Sequence, residues 1–370
     1  TFLSNIPGIR LKEKLVIFDS DDWGSTRVPG RVAKSNLIEE GIISDDSIYN
    51  KYDCLENETD LCSLYEVLSK YKDRQGRHPV FELNMVMGNP DFDQIAESDF
   101  TEYYRDDLSG SYRRYGHKDL IPLLKQGMDA GLVRCQFHAK EHLNVSLWLQ
   151  SLRSGSEHSL AGLRHGFYGY MGLTPSPHHG HYLAAYHHTD AADMEEKKHI
   201  LAEGLEEFER VFGFRSLSFT ACNYIWHREM EAVAAKYGVQ IIKSQRVQLE
   251  PDRHTGRLKR RYLYTGKRTA AGQCYLVRNA IFEPAENPRK DWVSSCMKEI
   301  RLAFLLGKPA VICSHRVNYI GSMDEENRRT SLAMLDNLIA RILQVWPDVL
   351  FTTSGSLFHI LNNKNPDQKP

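Results

Sequence analysis

The stretch Leu15-Val16-Ile17-Phe18-Asp19-Ser20-Asp21-Asp22-Trp23-Gly24 sets four consecutive apolar residues directly before a cluster of carboxylates. An apolar run of this length, bounded by polar residues, is typical of a buried β-strand. Asp and Gly also suit turns and helix caps, so the polar half of the stretch has a purely structural interpretation as well. The stretch therefore predicts a core strand at residues 15–18 whose end carries either a turn or functional carboxylates.

Similar apolar runs alternate with amphipathic segments along the chain. The predicted strands cover residues 15–18, 80–86, 132–137, 216–220, 239–243, 274–281, 310–313 and 349–353. Helical spacing of apolar residues is found at residues 60–72, 190–212, 228–237, 291–306 and 327–346, with Gly213, Gly238 and Gly307 as predicted caps after three of them. Alternation of this kind builds parallel sheets, and the strand count favours an α/β fold, a distorted (β/α) barrel of seven or eight strands.

No repeat or low-complexity linker divides the chain, so residues 1–370 are predicted to form a single barrel domain. Three segments do not fit the alternation and are predicted as insertions near residues 26–78, 154–189 and 246–272. Residues 154–189 hold seven histidines and indicate a long loop over one face, with these histidines at the surface. Residues 246–272 are basic and contain several glycines, which indicates a turn-rich excursion or a hairpin.

Charge and composition exclude some functions. Lys and Arg total 47 against 48 for Asp and Glu, so no net positive charge favours binding to nucleic acid. No apolar stretch reaches the ~18 residues of a membrane span. Seven scattered cysteines without a CxxC pair argue against a disulfide framework and favour a reducing, cytoplasmic location. A signal removed ahead of Thr1 is the alternative to that location.

Polar residues follow several of the predicted strands. In β/α barrels the carboxyl ends of the strands and their following loops form one rim, where the chemistry takes place. These residues are therefore expected to meet on one rim: Asp21 and Asp22, Asn89 and Asp91, His138 and His142, Asn223 and Tyr224, and His315 and Arg316. Two carboxylates and two imidazoles at one place are the parts of a hydrolytic metal site, in which one carboxylate binds and the other acts as a base.

These motifs resemble the metal-dependent polysaccharide deacetylase superfamily, including its branch of YdjC-like chitooligosaccharide deacetylases. The resemblance rests on Asp21-Asp22-Trp23-Gly24, on His138 with His142 four residues later, and on a late strand ending in His315. It implies a distorted β/α barrel that removes acetyl groups from amino sugars. The framework extends over residues 14–355, but the matching motifs are few and short.

The resemblance also implies a role for each matching residue. Asp21 would be the base, His315 the acid that protonates the leaving group, and Asp22, His138 and His142 the ligands of one divalent ion, Zn²⁺ first and Co²⁺, Ni²⁺ or Mn²⁺ as alternatives. Asp19 competes with Asp21 for the base role. The family often has an Arg-Pro motif after a middle strand, and residues 219–224 lack it, so the group that orients the base is unassigned.

The expected substrate is an acetylated oligo- or polysaccharide, with acetyl on nitrogen or oxygen. Sugar rings pack on aromatic side chains, so Trp23 and Tyr224 beside the predicted site are candidate substrate contacts, together with Asn223. Arg316 is a candidate for binding a carboxylate or sulfate on the sugar, and a structural salt bridge is the equal alternative.

Two other functions fit parts of the sequence. His138-Ala139-Lys140-Glu141-His142 matches the HxxEH motif of inverted zinc peptidases, in which the glutamate is the base. That reading requires the motif to lie in a helix, and it gives Asp21, Asp22 and His315 no role. A catalytically inactive barrel that binds glycans is the third hypothesis, favoured by the missing Arg-Pro motif.

Overall fold

The structure of the chain is a computed structural model, and it describes residues 5–169 and 182–364. Its strands are β1 (Leu15–Trp23), β2 (Phe81–Val86), β3 (Gly88–Pro90), β4 (Arg105–Asp107), β5 (Val133–Ala139), β6 (Ser218–Thr220), β7 (Ile241–Ser244), β8 (Val247–Pro251), β9 (Leu258–Tyr262), β10 (Cys274–Val277), β11 (Ala280–Ile281), β12 (Ala310–His315) and β13 (Leu350–Phe351). Each of the eight predicted strands overlaps at least one of these, because a run of apolar residues between turn signals was enough to locate a buried parallel strand, but the single strand predicted at residues 274–281 is two strands, β10 and β11.

The main sheet is parallel in every pairing and has the order β10-β7-β6-β5-β2-β1-β12-β11, with β13 beside the start of β1. Its two outermost strands, β10 and β11, belong to one continuous stretch of chain. Val277 pairs with Ser244 of β7, and Ala280 pairs with Ile312 of β12. The strand pairings therefore follow a circuit that returns to β1, which confirms the predicted α/β barrel-like fold.

Only Arg278 and Asn279 separate the two strands that close this circuit. The Arg278 N–H donates to the Ser244 carbonyl at 2.9 Å, and the Asn279 N–H donates to the Val311 carbonyl at 3.1 Å. The Asn279 side chain also accepts from the Val311 N–H at 2.8 Å. The two-residue link is thus hydrogen-bonded to the strand on each side of it.

The helices pack mainly outside the sheet. They are α1 (Arg31–Glu39), α2 (Ile48–Tyr52), α3 (Glu58–Ser69), α4 (Phe92–Glu97), α5 (Leu108–Arg114), α6 (Ile121–Asp129), α7 (Val145–Arg153), α8 (Glu157–Arg164), α9 (Ala191–Phe212), α10 (Glu229–Lys236), α11 (Trp292–Leu305), α12 (Glu325–Val345) and α13 (Ser354–Lys364). All five predicted helices are present, and Gly213, Gly238 and Gly307 adopt the left-handed conformation just past α9, α10 and α11.

The two faces of the strands belong to different apolar clusters. Val16 and Phe18 of β1 pack in the large cluster that includes side chains of α3, α6, α9, α11 and α12. Leu15 and Ile17 pack with Val311 and with residues of α13 in a second cluster. Since neighbouring side chains of a strand point to opposite faces, Asp19 and Asp21 continue the row of Leu15 and Ile17 toward the carboxyl end.

The insertions were partly predicted. Strands β8 and β9 form the antiparallel hairpin expected within residues 246–272. The predicted loop at residues 154–189 is wrong in part, because it contains α8, and its histidines 178, 179 and 181 lie outside the described residues. His187 and His188 are buried rather than at the surface, since their imidazoles contact the carbonyls of Gly256 and Asp252 in that hairpin. Among the described helices, none has the length and apolar character needed to cross a membrane.

Candidate active site

A cavity of about 290 Å³ opens at the carboxyl ends of the barrel strands. Seven of the nine predicted site residues line it: Asp21, Asp22, His138, His142, Asn223, Tyr224 and His315. Arg27, Tyr49, Leu183 and Ala221 complete the lining formed by the described residues. Strands β1, β5 and β12 and the turn after β6 thus bring together side chains that are up to 294 positions apart, from Asp21 to His315.

Asp21 and Asp22 are neighbours in one strand, yet both line the same cavity. In a regular strand they would point to opposite faces. Asp22 instead adopts a φ of 75°, in the left-handed region, and the register between β1 and β2 shifts between Ser20 and Trp23. This backbone irregularity costs on the order of 1 kcal/mol or more, which is common at functional sites. It turns the second carboxylate toward the first.

Asp22 lies against both predicted ligand histidines. Its Oδ1 is 3.3 Å from His142 Nε2 and 3.5 Å from His138 Nε2. The other nitrogen of His138, Nδ1, donates to the Thr220 carbonyl at 2.6 Å, which fixes the ring and turns Nε2 toward Asp22. Burial alone would raise the pKa of Asp22, but its contacts with the two imidazoles hold that pKa well below its ordinary value.

Asp21 is bound by a residue that the sequence analysis missed. Arg278, in the link between β10 and β11, donates to Asp21 Oδ1 and Oδ2 at 2.6 Å each. Asn84 donates to Asp21 Oδ1 at 2.7 Å. Burial would raise the pKa of Asp21, and Arg278 lowers it below its ordinary value, so the carboxylate is ionised. The sequence did contain a sign that Arg278 is functional, because it is a charged residue inside a predicted apolar strand.

Asp19 lies deeper in the barrel and does not line the cavity. It accepts from Lys243 Nζ and from Arg278 Nε at 2.7 Å each, and all three side chains are buried. Lys243 also pairs with Glu82 at 3.2 Å. These buried charged side chains form a continuous series of ion pairs beneath the site, which connects Glu82 to Asp21 through Lys243, Asp19 and Arg278. Of the two competing carboxylates, Asp21 alone reaches the cavity among the described residues.

His315 forms a second polar pair at the end of β12, beside Asp21 of the neighbouring strand β1. Its Nδ1 donates to Glu283 Oε1 at 2.6 Å, and Asn318 holds the other oxygen of Glu283 at 2.6 Å. Its Nε2 is therefore left for the cavity, 3.9 Å from Asp21 Oδ2. Burial would lower the pKa of His315, but Glu283 and the two aspartates raise it to about 9. Nothing in the sequence near Glu283 indicated this contact.

Arg27 is a further cavity residue that the sequence analysis did not single out. Its guanidinium packs 5.0 Å from the centre of the Tyr49 ring and lies 3.9 Å from Asp22 Oδ2 and 3.8 Å from Asp53 Oδ2. Its side chain is 7% exposed, and its Nη1 is buried without a hydrogen-bond partner among the described residues. An unpaired buried donor is costly, so the described residues alone do not satisfy the hydrogen bonding of this part of the cavity wall.

Several residues predicted on the rim lie elsewhere. Trp23 is completely buried, and its Nε1 donates to Ser20 Oγ at 2.9 Å. Arg316 is completely buried between Asp53 and Glu56 at 2.8 Å, so its contacts are those of the structural salt bridge, the alternative to sugar binding. Asn89 binds the backbone of Gly24 and Thr26, and Asp91 caps α4, so neither lines the cavity.

The HxxEH motif does not have the geometry of a peptidase helix. Strand β5 runs through His138 and ends at Ala139, and the next helix, α7, begins only at Val145. Glu141 is buried outside the cavity lining and pairs with Arg105 Nε at 2.6 Å. Since a general base must reach the reacting water, Glu141 is poorly placed for the role that a peptidase would require.

Comparisons with known proteins give similar folds only. No family model and no curated protein matches the chain. A probable polysaccharide deacetylase from Pseudomonas aeruginosa PAO1 is 9% identical, with a TM-score of 0.47 over 96% of this chain and 92% of that one. PuuE allantoinase is 10% identical, with a TM-score of 0.47 over 95% and 91% of the two chains. A polysaccharide deacetylase from Bacillus cereus is 12% identical, with a TM-score of 0.30 over 73% and 65%.

Polysaccharide deacetylases are therefore among the solved structures to which this chain is similar. At these identities and scores the matches add no argument about the reaction. The fold class rests on the strand pairings of the chain itself.

Proposed function

We propose that the chain is a metal-dependent hydrolase that removes acetyl groups from an acetylated sugar in an oligo- or polysaccharide. One observation carries the proposal: Asp22 Oδ1 lies within 3.5 Å of both His138 Nε2 and His142 Nε2, in the same cavity as the ionised Asp21 and the Glu283-paired His315. A carboxylate, two imidazoles, a base and an acid are the groups that hydrolysis of an acetyl group requires. The chain would accordingly belong to the polysaccharide deacetylase superfamily.

The donor set fits a divalent ion of the zinc type. Nitrogen and oxygen donors bound to a tetrahedral ion at ~2.0–2.2 Å lie ~3.4 Å apart, which is close to the 3.3 and 3.5 Å between Asp22 Oδ1 and the two Nε2 atoms. Asp22, His138 and His142 would hold the ion. Zn²⁺ suits these ligands best, and Co²⁺, Ni²⁺ and Mn²⁺ also accept them. When bound, the ion would acidify water and polarise the acetyl carbonyl.

Asp21 would remove the proton from the attacking water. Arg278 and Asn84 fix its carboxylate and Arg278 keeps it ionised, so the base is available over the whole neutral range. This contact gives Arg278 the orienting role that the sequence left unassigned. Arg278 would act through Asp21 and is therefore a positioning residue.

His315 would protonate the departing amine or alkoxide. With Nδ1 bound to Glu283, its cavity-facing Nε2 carries the proton that must be delivered. A pKa of about 9 keeps the imidazole protonated at neutral pH, as a general acid must be before the transfer. The leaving group would then depart with that proton, and the neutral imidazole would take a new one from solvent.

Arg27 and the turn after β6 would bind the substrate. The guanidinium of Arg27 lines the cavity, has no hydrogen-bond partner for Nη1 among the described residues, and would donate to the oxygen that gains negative charge during the attack, a role for which the sequence named no residue. Asn223 and Tyr224 would contact the sugar. The cavity is at the small end of ligand sites, which suits recognition of one acetylated residue of a longer saccharide.

The test is acetate release from a panel of N- and O-acetylated saccharides, measured with and without a chelator. We expect activity that the chelator removes, that added Zn²⁺ restores, and that Asp21→Asn lowers by about 10²–10⁴-fold. Asp22→Ala and His138→Ala should lose the bound metal, whereas Asp21→Asn should retain it. Acetate release that is reduced neither by the chelator nor by Asp21→Asn would reject this mechanism. Stoichiometric bound metal without any acetate release would favour the glycan-binding alternative.

A further inference from the structure

Cys222 is a fourth potential metal donor at the proposed site. Its Sγ lies 3.8 Å from His138 Nε2, and donor atoms of Cys222, His138 and His142 all lie within 4.8 Å of one another. The Cys222 side chain is completely buried and does not line the cavity, whereas its chain neighbours Ala221 and Asn223 do. A thiol therefore faces the two imidazoles from the protein interior.

The spacing suits coordination. A sulfur at ~2.3 Å and a nitrogen at ~2.0–2.1 Å from one tetrahedral ion are separated by ~3.6 Å. The observed 3.8 Å is close to that value and longer than the separations between Asp22 and the same imidazoles. The sulfur-to-nitrogen distance is therefore longer than the two oxygen-to-nitrogen distances, as expected for the longer metal–sulfur bond.

The backbone after β6 is held in an unusual conformation that separates Cys222 from its neighbours. Asn223 and Tyr224 both have a positive φ, of 56° and 55°, within a single turn of 3-10 helix. A positive φ is tolerated by Asn but is costly for Tyr, by ~1–2 kcal/mol. The turn places Asn223 and Tyr224 at the cavity while leaving Cys222 against the histidines.

We propose that Cys222 is a fourth protein ligand of the metal, as a thiolate that joins Asp22, His138 and His142. The inference rests on the proposed function. Binding would release the thiol proton to solvent and form a metal–sulfur bond. Because Cys222 is buried and does not line the cavity, it would hold the ion from the protein interior and leave the cavity itself to water and substrate.

The thiolate would also restrict the choice of metal. Thiolate ligands select Zn²⁺ and other thiophilic ions, whereas Mn²⁺ and Mg²⁺ prefer oxygen donors. Mn²⁺, which the sequence left open, should therefore bind more weakly to this chain than Zn²⁺, by a margin that shrinks when the sulfur is removed.

The direct test is titration of the metal-free protein with Co²⁺, followed by absorption in the near ultraviolet. We expect one equivalent of Co²⁺ to produce a thiolate-to-cobalt charge-transfer band in the wild type. Cys222→Ser and Cys222→Ala should lose the band and weaken Zn²⁺ binding, measured by chelator competition, by at least about tenfold. Circular dichroism of the metal-free variants establishes that each is folded.

Cys313→Ser is the matched control, because Cys313 belongs to the other group of potential metal donors, with Glu283 and His315, and its Sγ contacts Arg278 and Tyr224; a band lost in Cys313→Ser would place the thiolate-bound ion there and overturn the assignment of Cys222. The Cys313→Ser variant should keep the band and bind Zn²⁺ within twofold of the wild type. A band that survives in Cys222→Ser, or one-to-one Co²⁺ binding without any band, would overturn the assignment of Cys222 and leave the proposed function intact. Failure of the wild type to bind either ion would overturn both.

Discussion

The guanidinium of Arg278 donates two hydrogen bonds, each 2.6 Å long, to the two carboxylate oxygens of Asp21. The contact joins residues 257 positions apart and depends on the fork geometry of arginine, which a lysine cannot reproduce. The closing link of the barrel therefore determines how the proposed base is oriented.

Arg278→Lys should reduce kcat for acetate release by about 10²-fold, because it keeps a positive charge but loses the paired hydrogen bonds that orient Asp21. The KM should change little, since Arg278 does not line the cavity. Arg228→Lys is the matched control, because Arg228 also makes a two-pronged contact, with Glu250, but its side chain is 63% exposed. Equal kcat for Arg278→Lys and wild type would contradict the positioning role.

The pH profile should report the pairing of His315 with Glu283. Because the pKa of His315 is raised to about 9, its acid form persists through neutral pH and is lost as the pH rises through that value. The alkaline limb of kcat/KM should fall there. Glu283→Gln removes the charge that raises this pKa, and the limb should move toward the ordinary value of ~6.5.

A bound metal ion would act on His315 in the wild type and in Glu283→Gln alike, so the difference between the pH profiles of these two proteins is the diagnostic quantity. Glu286→Gln is the control, because Glu286 lies in the same short turn but acts on His315 only at longer range, without the 2.6 Å contact that Glu283 makes, so it should move the limb less than Glu283→Gln. Identical alkaline limbs in Glu283→Gln and wild type would mean that His315 is not the titrating acid.

Lys243→Met should destabilise the fold by about 3–5 kcal/mol, because it leaves the buried carboxylates of Asp19 and Glu82 without their shared cation. Urea unfolding of the metal-free protein measures this cost. Lys118→Met removes a lysine that pairs with Glu58 at the surface, where the side chain is 76% exposed, and should change stability by less than ~0.5 kcal/mol. Similar losses in the two variants would show that the buried charges are not coupled.

Glu141→Gln separates the deacetylase from the peptidase hypothesis. Glu141 pairs with Arg105 and lies outside the cavity lining, so acetate release should remain within about threefold of the wild type. A general base would lose about 10²–10⁴-fold on the same change. Peptide cleavage by the wild type that vanishes in Glu141→Gln would reverse the conclusion.

The sequence was sufficient to predict where the strands lie and which polar residues meet at their ends, namely Asp21, Asp22, His138, His142 and His315. Buried parallel strands appear as apolar runs, and their carboxyl ends share one rim whatever the details of packing. The partners of those residues could not be predicted in the same way. Glu283 and Arg278 act through contacts that depend on the order of strands around the barrel, and that order is not encoded in local patterns.

The direction in which side chains point was the second property that could not be predicted from the sequence. Trp23 and Arg316 are adjacent to site residues in the chain, and proximity suggested that they line the cavity, yet both are buried beside it. The positive φ of Asp22 is the reason at β1, because it interrupts the alternation of faces between Asp21 and Trp23. No sequence pattern marks such a residue, since Asp outside the left-handed region is far more common.

The two-residue link between β10 and β11 also determines where this chain can be cut or rejoined. Cleavage in the turn of the β8–β9 hairpin would release the carbonyls that contact His187 and His188 but would leave the circuit of parallel strands connected. Cleavage between Arg278 and Asn279 would leave every helix and strand intact in length, yet it would remove the covalent connection between the edge strands β10 and β11 directly beside the residue that binds Asp21. The connection between the two edge strands and the orientation of the proposed base therefore both depend on the same two-residue link.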